Sequence, residues 1–572
     1  MEKIKKIKNF INLKNLDGYI IPKNDDFFSE YVPNHKDRLK KISGFTGSYG
    51  FALILKKENY LFVDGRYTLQ ANKEAGQKFK IITIPKKKPE HILKGKNLKI
   101  GYNPQVHTEE NLKRLFLRTK CKLFEVKEGN LINQNNFTKK KIIKVFKLKD
   151  NEAGESIKSK LKKIVYNLNK QKLDLQFITS SENASWLLNI RSDENQYTPI
   201  VKSRALVDKN GKIYLFLDSN NIKQKLFKNF ENVKIIDVKF IKLFLSRIKS
   251  KKICIDKNTC SIYLKNILEK NNKIIYSVDP IYLLKSKKNQ IEINNIKKAH
   301  LLDGVAVTRF LIWIKNNFEK KRISEINAQN KLLKFRKEFK KFVSLSFPTI
   351  SGTGANAAVI HYRASPQTNK ILKKGELYLV DSGGQYKFGT TDVTRTISLK
   401  NYDDRIKEIY TRVLKGHIAV ANFKIKKNTT GSQIDLAARN FLKQKNLNYN
   451  HGTGHGVGYF ANVHEGPQAI SIGNKVKLLK GMVLSNEPGY YEKDKFGIRI
   501  ENLIILNKSS KKNLKFENLT LVPIDKNLII KELMSMDEIK WLNNYHKTVF
   551  FKLNKFMNYK ERSILKDQCS NI

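Results

Sequence analysis

Residues 376–396 read ELYLVDSGGQYKFGTTDVTRT and carry the pattern that decides the fold of the second half of the chain. An apolar strand ends in Asp381, a glycine-rich turn follows, and a second strand begins just after Asp392. If the strands pair in an antiparallel ladder, the two carboxylates lie at neighbouring strand ends and face one point. Neighbouring carboxylates repel each other, and a divalent cation is the usual partner that keeps both ionised. The stretch therefore predicts an antiparallel sheet with a metal site where the two strands end.

Further along the chain, histidines cluster in a glycine-rich segment. His451, His455 and His464 fall within fourteen residues, and His455 stands between two glycines. A single histidine is more often a satisfied core or surface residue than a metal ligand. Three together indicate a site in which one imidazole binds the metal and the others handle protons or bind a substrate carbonyl. We take His455 as the expected ligand.

Two glutamates complete the candidate set. Glu487 ends the apolar run 482–487 and is followed by a Pro-Gly turn. Glu501 lies in 497–503, GIRIENL, where alternation places Arg499 and Glu501 on one face of a strand and the isoleucines on the other. A carboxylate in the middle of an apolar strand needs a partner. For Glu501 two partners are open, a metal ion or a salt bridge with Arg499.

Together the candidates comprise four carboxylates and one imidazole. Four negative charges balance two divalent cations, and a hydroxide that bridges the two ions would then be the nucleophile. Ligation by many oxygens and a single nitrogen favours manganese or cobalt over a metal that prefers thiolates, with zinc and iron left open. The candidate ligands are Asp381, Asp392, His455, Glu487 and Glu501.

Composition sets the size class and raises a question about charge. A chain of 572 residues is longer than one hydrophobic core usually organises, which predicts three or four domains. There are 111 lysines and arginines against 52 aspartates and glutamates, a formal net charge of +59. Such a charge is compatible with a nucleic-acid partner. The lysines are spread along the whole chain, however, so we interpret them as solvated faces and expect no nucleic-acid partner.

Features of targeting and oxidation point to the cytoplasm. The charged N-terminus has no apolar segment of the kind that opens a signal peptide, and no apolar run is long enough to span a membrane. Four scattered cysteines show no CxxC spacing and are expected to be free thiols. We therefore expect a cytoplasmic protein without a membrane partner.

Hydrophobic periodicity divides the chain into successive units. Residues 17–22 and 50–55 are typical of buried strands in a first α/β unit. The amphipathic run 157–168 predicts a helix that opens a second unit of similar size and element order. A long helix is predicted over 290–315 at the start of a third unit, where the glycines concentrate. The segment 520–572 is rich in apolar and aromatic residues and is expected to pack on the third unit or on a second subunit.

The ordered ligand set and several strings resemble a known family. The strings HGTGHGVG, NVHEGP, SNEPGYY and GIRIEN resemble the pita-bread metallopeptidases and, within them, the Xaa-Pro aminopeptidases in their long, three-domain form. The similarity extends to YIIPKNDDFFSEYVPNHKDRLKKISGFTGSYG and SWLLNIRSDENQYTPI in two N-terminal regions and to TLVPIDKNLIIKELMSMDEIKWLNNYH near the end. It implies two creatinase-like α/β domains, an α+β catalytic domain with a curved antiparallel sheet backed by helices, and a C-terminal extension. The corresponding segments are 1–152, 153–288, 289–519 and 520–572.

The resemblance also implies a role for each site residue. Asp381 would chelate one metal, Asp392 and Glu501 would bridge both, and His455 and Glu487 would complete the second. His361 would bind the substrate or handle protons, and His451 and His464 would contact the substrate and stabilise the developing oxyanion. Glu487 would carry a proton to the leaving nitrogen, and Arg499 would hold the ligand shell in place.

By the same resemblance the chain would be a dinuclear metalloaminopeptidase. It would release the N-terminal residue from peptides with proline in second position, through attack of the hydroxide that bridges two divalent ions. Mn²⁺ is the first choice of ion, with Zn²⁺ or Co²⁺ as alternatives, and a homodimer is expected.

Three other functions share parts of this pattern. A prolidase that accepts only dipeptides would have nearly the same ligands, and the two N-terminal domains with the C-terminal extension favour the aminopeptidase over it. A non-catalytic module that binds peptides or RNA would typically lack some ligands. A creatinase-like hydrolase without metal would not need both aspartates and both glutamates. The complete set of five ligands therefore favours the metalloenzyme.

Overall fold

The computed structural model describes residues 2–129, 131–132, 142–219, 230–400, 403–508 and 513–572. The chain forms two compact units. The first comprises Met1–Lys149, Glu155–Asn195 and Ile200–Tyr282, and the second comprises Asp150–Gly154, Gln196–Pro199 and Leu283–Ile572. The first unit takes in both α/β segments expected from the sequence, and the second takes in the catalytic segment and the extension. The boundaries at 152, 288 and 519 stay predictions.

Fourteen strands and eleven α-helices are described within the first 286 residues. The strands are β1 (Gly18–Pro22), β2 (Gly50–Leu55), β3 (Asn59–Asp64), β4 (Lys80–Ile84), β5 (Lys99–Tyr102), β6 (Lys122–Glu125), β7 (Val145–Lys147), β8 (Leu175–Ile178), β9 (Ile190–Ser192), β10 (Ser203–Asp208), β11 (Ile213–Leu217), β12 (Val233–Asp237), β13 (Lys252–Ile255) and β14 (Lys273–Tyr276). The helices are α1 (Glu2–Leu13), α2 (Arg38–Ser43), α3 (Thr68–Ala75), α4 (Pro89–Ile92), α5 (Glu109–Phe116), α6 (Asp150–Ala153), α7 (Ile157–Lys170), α8 (Ser181–Leu187), α9 (Ile241–Ser246), α10 (Ile262–Glu269) and α11 (Ile281–Ser286).

Two six-stranded mixed sheets of the same topology form the centre of the first unit. Their strand orders are β4-β3-β2-β1-β5-β6 and β12-β11-β10-β8-β13-β14. In each sheet the second, third and fourth strands of this order pair antiparallel, while the other neighbouring pairs are parallel. This match, strand by strand, confirms the expectation of two α/β segments with the same element order. The predicted strands at 17–22 and 50–55 and the predicted helix at 157–168 are confirmed as β1, β2 and α7.

The second unit contains six further α-helices and thirteen strands among its described residues. The helices are α12 (Gln290–Asn317), α13 (Glu325–Lys337), α14 (Asp404–Ala421), α15 (Gly431–Lys443), α16 (Met536–Leu553) and α17 (Tyr559–Gln568). The strands are β15 (Phe342–Leu345), β16 (Ile350–Thr353), β17 (Leu377–Ser382), β18 (Gly384–Tyr386), β19 (Gly389–Thr390), β20 (Val393–Ser398), β21 (Gly454–His455), β22 (Ala469–Ile470), β23 (Val483–Asn486), β24 (Gly489–Glu492), β25 (Phe496–Arg499), β26 (Asn502–Lys508) and β27 (Leu514–Asn518).

The long helix α12 confirms the helix predicted over 290–315. It begins at a capping box, in which Asn289 Oδ1 accepts the Glu292 N–H at 3.0 Å and Glu292 Oε2 accepts the Asn289 N–H at 2.9 Å. Every described strand pair of the second unit is antiparallel, and helices pack against these strands. The α+β class expected for this segment, with antiparallel strands and helices packed against them, is thus the observed one.

The C-terminal extension is part of the core of the second unit. Leu542, Tyr545 and Val549 of α16 share one apolar cluster with α14 and with Ile498 of β25. Tyr545 OH also receives a hydrogen bond from Nη2 of the buried Arg395 at 3.0 Å. Packing on the third unit, one of the two outcomes expected for this segment, is therefore confirmed.

Two further expectations concern cysteines and membranes. All four cysteines are free thiols, as expected. Among the described residues, no helix combines the length and the apolar character needed to cross a bilayer.

Burial of His546 in α16 makes the stability of the second unit depend on pH. The residue is fully buried, and its Nε2 accepts the Ile524 N–H at 3.1 Å. Burial, with the charges of Lys526 and Arg395, lowers the pKa of His546 from 6.5 to about 3. Below pH 6.5 His546 of the unfolded chain binds a proton, whereas the buried His546 of the folded chain stays neutral until the pH is much lower. The stability that neutral His546 contributes to the folded chain is therefore fully present above pH 6.5 and is lost as the pH falls towards 3.

We expect the free energy of unfolding of the wild-type chain to fall between pH 7 and pH 5 by about 2 kcal/mol more than that of His546→Gln. Urea unfolding followed by tryptophan fluorescence measures this difference, because Trp541 stacks on Tyr545 within the same helix. His91→Gln, at an exposed histidine, is the control and should behave as the wild type does. Equal pH sensitivity of His546→Gln and the wild type would contradict the assignment.

Candidate metal centre

Strands β17 and β20 place the first two candidate ligands. They pair antiparallel, as the sequence predicts, with Asp381 opposite Thr394 and Ser382 opposite Val393. Asp392 directly precedes β20, so the two aspartates lie at the same end of the ladder. Asp381 is 8% exposed and Asp392 is 5% exposed. The structure therefore brings two buried carboxylates together at one strand end.

Glu501 lies in a break between two strands, whereas its alternating pattern predicts the centre of one continuous strand. β25 ends at Arg499 and β26 begins at Asn502. At this break the Glu501 N–H donates to the Thr394 carbonyl at 3.1 Å. Thr394 Oγ1 in turn donates to Glu501 Oε2 at 2.8 Å. These two bonds hold the buried carboxylate of Glu501 against β20 and beside Asp392.

One serine holds both His455 and Glu487. Ser485 Oγ accepts the His455 N–H at 2.9 Å and donates to Glu487 Oε1 at 3.0 Å. His455 Nδ1 donates to the Gly456 carbonyl at 2.9 Å, which leaves a lone pair on Nε2. This Nε2 lies 3.5 Å from Asp392 Oδ2 and 3.5 Å from Glu487 Oε1. A lone pair that faces two carboxylates is stable only with a cation or a proton between them.

Crowding raises the pKa of three of the carboxyl groups. Burial raises the pKa of Asp392 well above its usual range, and the charges of Asp381 and Glu487 raise it further. Burial and the charges of Asp392 and Glu487 have the same effect on the pKa of Glu501. Burial also raises the pKa of Asp381. The pocket thus penalises negative charge unless a cation enters it.

Arg499 is the cation that the chain itself supplies. Its Nη2 donates to Asp381 Oδ2 at 2.7 Å, its Nε to Thr394 Oγ1 at 3.1 Å and its Nη1 to Tyr491 OH at 2.6 Å. Burial opposes the charged form, but Tyr491, Asp381 and Glu487 raise the pKa of Arg499. Among the described residues Arg499 forms its ion pair with Asp381, so the salt bridge left open for Glu501 is not formed.

The donor set fits divalent cations. One ligand atom each from Asp392, His455 and Glu501 lies within 4.8 Å of the others. Asp381 Oδ1 is buried and accepts no hydrogen bond from the described residues. Four carboxylates face a single arginine, and divalent cations with oxygen ligands neutralise such an excess of negative charge. The lone pair of His455 supplies the nitrogen donor.

Both ring nitrogens of His451 form hydrogen bonds, one within its own loop and one to β24. Its Nδ1 donates to the Gly452 carbonyl at 2.7 Å, and its Nε2 lies 2.9 Å from Tyr491 OH, which therefore donates to it. Burial lowers the pKa of His451 to about 4. His451 is accordingly a neutral imidazole near neutral pH, next to the tyrosine that Arg499 contacts.

The other two histidines border the same site. His464 is exposed, and its ring centroid lies 4.3 Å from that of His455. His361 is half-buried and follows Ile360, whose carbonyl accepts Arg499 Nη2 at 3.4 Å. The structure thus brings His464 against a candidate ligand and ties the backbone beside His361 to the arginine of the site.

A buried charged triad escapes prediction from the sequence. Lys285 Nζ lies 3.0 Å and Lys288 Nζ lies 2.5 Å from the carboxylate of Glu465, and each of these side chains is at most 3% exposed. Burial opposes ionisation of Glu465, but the two lysines hold its pKa below the usual value. Glu465 directly follows His464, and its N–H donates to the Gly456 carbonyl at 2.8 Å. No local pattern connects residues so distant along the chain.

Comparison with protein families assigns a class to each part of the chain. Residues 294–508 match the Metallopeptidase family M24, and residues 512–572 match the C-terminal region of peptidase M24. Residues 3–129 and 138–292 each match a Creatinase/Prolidase N-terminal domain. The fold and the site therefore define a metallopeptidase with two creatinase-type domains before the catalytic one.

Relatives similar over the full length narrow the class. Xaa-Pro aminopeptidase 1 of Dictyostelium discoideum is 36% identical, over 99% of this chain and 96% of that protein. A probable Xaa-Pro aminopeptidase P of Laccaria bicolor is 35% identical, over 100% and 93%. The crystal structure of X-prolyl aminopeptidase from Caenorhabditis elegans, a cytosolic enzyme with a di-nuclear active site, matches with a TM-score of 0.93 and 30% identity, over 100% and 99% of the two chains. The chain belongs to the Xaa-Pro aminopeptidase family.

Proposed function

We propose that the chain is a metal-dependent Xaa-Pro aminopeptidase, which releases the N-terminal residue from peptides that have proline in second position. One observation carries the proposal: Asp392, His455 and Glu501 converge within 4.8 Å in a chain similar over its whole length to enzymes of that name. The amide before proline has no N–H and carries a fixed ring, which suits a dedicated enzyme.

Five residues would hold two divalent ions. Asp381 would bind one, Asp392 and Glu501 would bridge both, and His455 with Glu487 would complete the second. The oxygen-rich set favours Mn²⁺, with Co²⁺ or Zn²⁺ as alternatives. When bound, the two ions supply Lewis acidity and lower the pKa of a water molecule so that it becomes a nucleophile at neutral pH.

Side chains of the protein itself would then transfer the proton and bind the substrate. Glu487 is half-buried, and the neighbouring imidazoles of His455 and His451, the charge of Arg499 and the hydrogen bond from Ser485 outweigh burial and hold its pKa below the usual value. It is therefore ready to accept a proton from the attacking water and pass it to the leaving proline nitrogen. His464 and His361 border the site and would bind the carbonyl oxygen of the scissile bond as its charge develops.

His451 would act through hydrogen bonds inside the site. It keeps Tyr491 OH, and thereby Arg499, in one orientation. Arg499 then fixes Asp381 for metal binding, the function of a group that contacts a ligand from behind.

A dipeptide-specific prolidase is the competing function, and substrate length separates the two. We expect an Mn²⁺-loaded enzyme to release arginine from Arg-Pro-Pro and from longer peptides, with kcat/KM at least about tenfold above that for the dipeptide Arg-Pro. Liquid chromatography of the released arginine measures both rates. Arg-Ala-Pro is the control peptide and should resist cleavage, because proline stands third. Turnover confined to dipeptides would contradict the proposal.

Location and assembly extend the proposal. The chain shares its fold with a relative described as cytosolic, and we assign it to the cytoplasm. A homodimer is proposed in addition, with Phe551, Phe556 and Tyr559 of the C-terminal segment exposed on its surface as candidate contacts.

A further inference from the structure

A salt bridge within α15 lies beneath the histidine loop 448–456. Arg439 Nε donates to Asp435 Oδ2 at 2.8 Å, one helical turn apart, and their side chains are 4% and 0% exposed. A buried ion pair costs desolvation energy, which its other hydrogen bonds must offset. Each partner accordingly forms hydrogen bonds with the histidine loop. Within the described part of the chain, neither forms a hydrogen bond or ion pair with a candidate metal ligand.

Asp435 holds the centre of the loop through Thr453. Its Oδ1 accepts the Thr453 hydroxyl at 2.6 Å and the Thr453 N–H at 3.3 Å. The same hydroxyl lies 2.5 Å from Tyr449 OH. The Thr453 carbonyl accepts the N–H of Glu487 at 2.8 Å. Asp435 is thus linked through a single residue to the backbone of a candidate ligand on the opposite strand.

Arg439 holds the beginning of the loop with its guanidinium fork. Nη1 donates to the carbonyl of Tyr449 and to Asn448 Oδ1, each at 2.8 Å, and Nη2 donates to the carbonyl of His451 at 2.5 Å. The guanidinium carbon also lies 4.0 Å from the centroid of the Tyr449 ring. Lysine could keep the ion pair with Asp435, but it lacks the planar fork that serves three oxygens together.

The end of the loop leaves no room for compensating shifts. A Cβ on Gly454 would lie 1.9 Å from the Ser485 carbonyl oxygen, and one on Gly456 would lie 2.0 Å from that of Glu465. The backbone on both sides of His455 is therefore packed directly against neighbouring strands and loops. A displacement at 449–453 would therefore disturb the Thr453–Glu487 hydrogen bond and strain the backbone that presents His455.

We propose that Asp435 and Arg439 are positioning residues for the metal centre. They set the backbone that presents His451, His455 and Glu487, and their effect on the reaction is transmitted through Thr453 and the His451 carbonyl. This inference rests on the proposed function for its kinetic consequence, and its consequence for metal binding can be measured separately.

The test uses variants of the full-length chain in which the ion pair is kept but the fork is lost. We expect Arg439→Lys to fold with a melting temperature near that of the wild type. Its affinity for Mn²⁺, measured by isothermal titration calorimetry, should fall about 10- to 100-fold, as should kcat on Arg-Pro-Pro at saturating Mn²⁺. Thr453→Val, which keeps the volume and removes the hydroxyl, should lower both quantities in the same direction and decides the matter if Arg439→Lys does not fold.

Arg412→Lys is the matched control. Arg412 pairs with Glu408 one turn away on α14 and donates to the Phe441 carbonyl at 3.0 Å, away from the site. Its Mn²⁺ affinity and kcat should stay within twofold of the wild type. If Arg439→Lys and Thr453→Val also stay within twofold, the pair serves only stability and the inference is overturned. If the wild type binds Mn²⁺ but cleaves no Xaa-Pro peptide, the proposed function fails, and the Mn²⁺ affinities alone decide the inference.

Discussion

Asp392→Ala is expected to abolish metal uptake and activity together. Asp392 Oδ2 lies 3.5 Å from His455 Nε2, and one ligand atom each from Asp392, His455 and Glu501 lies within 4.8 Å of the others. If Asp392 bridges both ions as proposed, its loss should reduce bound Mn²⁺ from two ions to fewer than one per chain and lower kcat/KM on Arg-Pro-Pro at least about 1,000-fold. Plasma mass spectrometry of the purified protein and peptide turnover measure the two effects.

Asp392→Asn separates the loss of a ligand from damage to the fold. Burial, Asp381 and Glu487 raise the pKa of Asp392 well above its usual range, so the metal-free chain favours the neutral carboxyl that asparagine resembles. We therefore expect the metal-free asparagine variant to melt no earlier than the metal-free wild type. Asp404→Ala is the control, since this carboxylate is 93% exposed and lies 3.7 Å from Lys407. Full activity of Asp392→Ala would refute the two-metal centre.

Local patterns predicted the parts of the site that depend on strand geometry. A carboxylate after an apolar run marks the end of a strand. This rule predicted the antiparallel pairing that brings Asp381 and Asp392 together. The strand prediction failed in part at Glu501, because alternation in 497–503 cannot reveal that Glu501 forms hydrogen bonds with Thr394, a residue distant along the chain. The structure places Glu501 beside Asp392 and His455, whereas the continuous strand predicted for its backbone is not formed.

Long-range contacts account for what the sequence could not predict. Glu465 meets Lys285 and Lys288, and Asp435 meets Thr453, only after the helices and strands have packed. Each of these charges taken alone is typical of a solvated face, so nothing in the local pattern distinguishes it from the many exposed ones. The repeated topology of the two N-terminal sheets was easier, because element order survives where residue identity does not.

Glu487→Gln should separate proton transfer from metal binding. The amide keeps an oxygen where Glu487 Oε1 accepts from Ser485 at 3.0 Å, so we expect at least one Mn²⁺ to remain bound. An amide cannot carry the proton to the leaving nitrogen, and kcat on Arg-Pro-Pro should fall about 100- to 10,000-fold with little change in KM. Stopped-flow turnover at saturating Mn²⁺ gives both constants.

Glu492→Gln is the control for this substitution, because Glu492 pairs with Arg405 and Lys495 at the far end of β24. It should retain wild-type kcat. The pH profile adds a second criterion: the acidic limb of kcat/KM in the wild type reports a base that must be deprotonated, and that limb should flatten in Glu487→Gln. If instead the variant keeps both the wild-type kcat and the acidic limb, another group moves the proton, and the exposed His464, whose ring lies 4.3 Å from that of His455, is the next candidate.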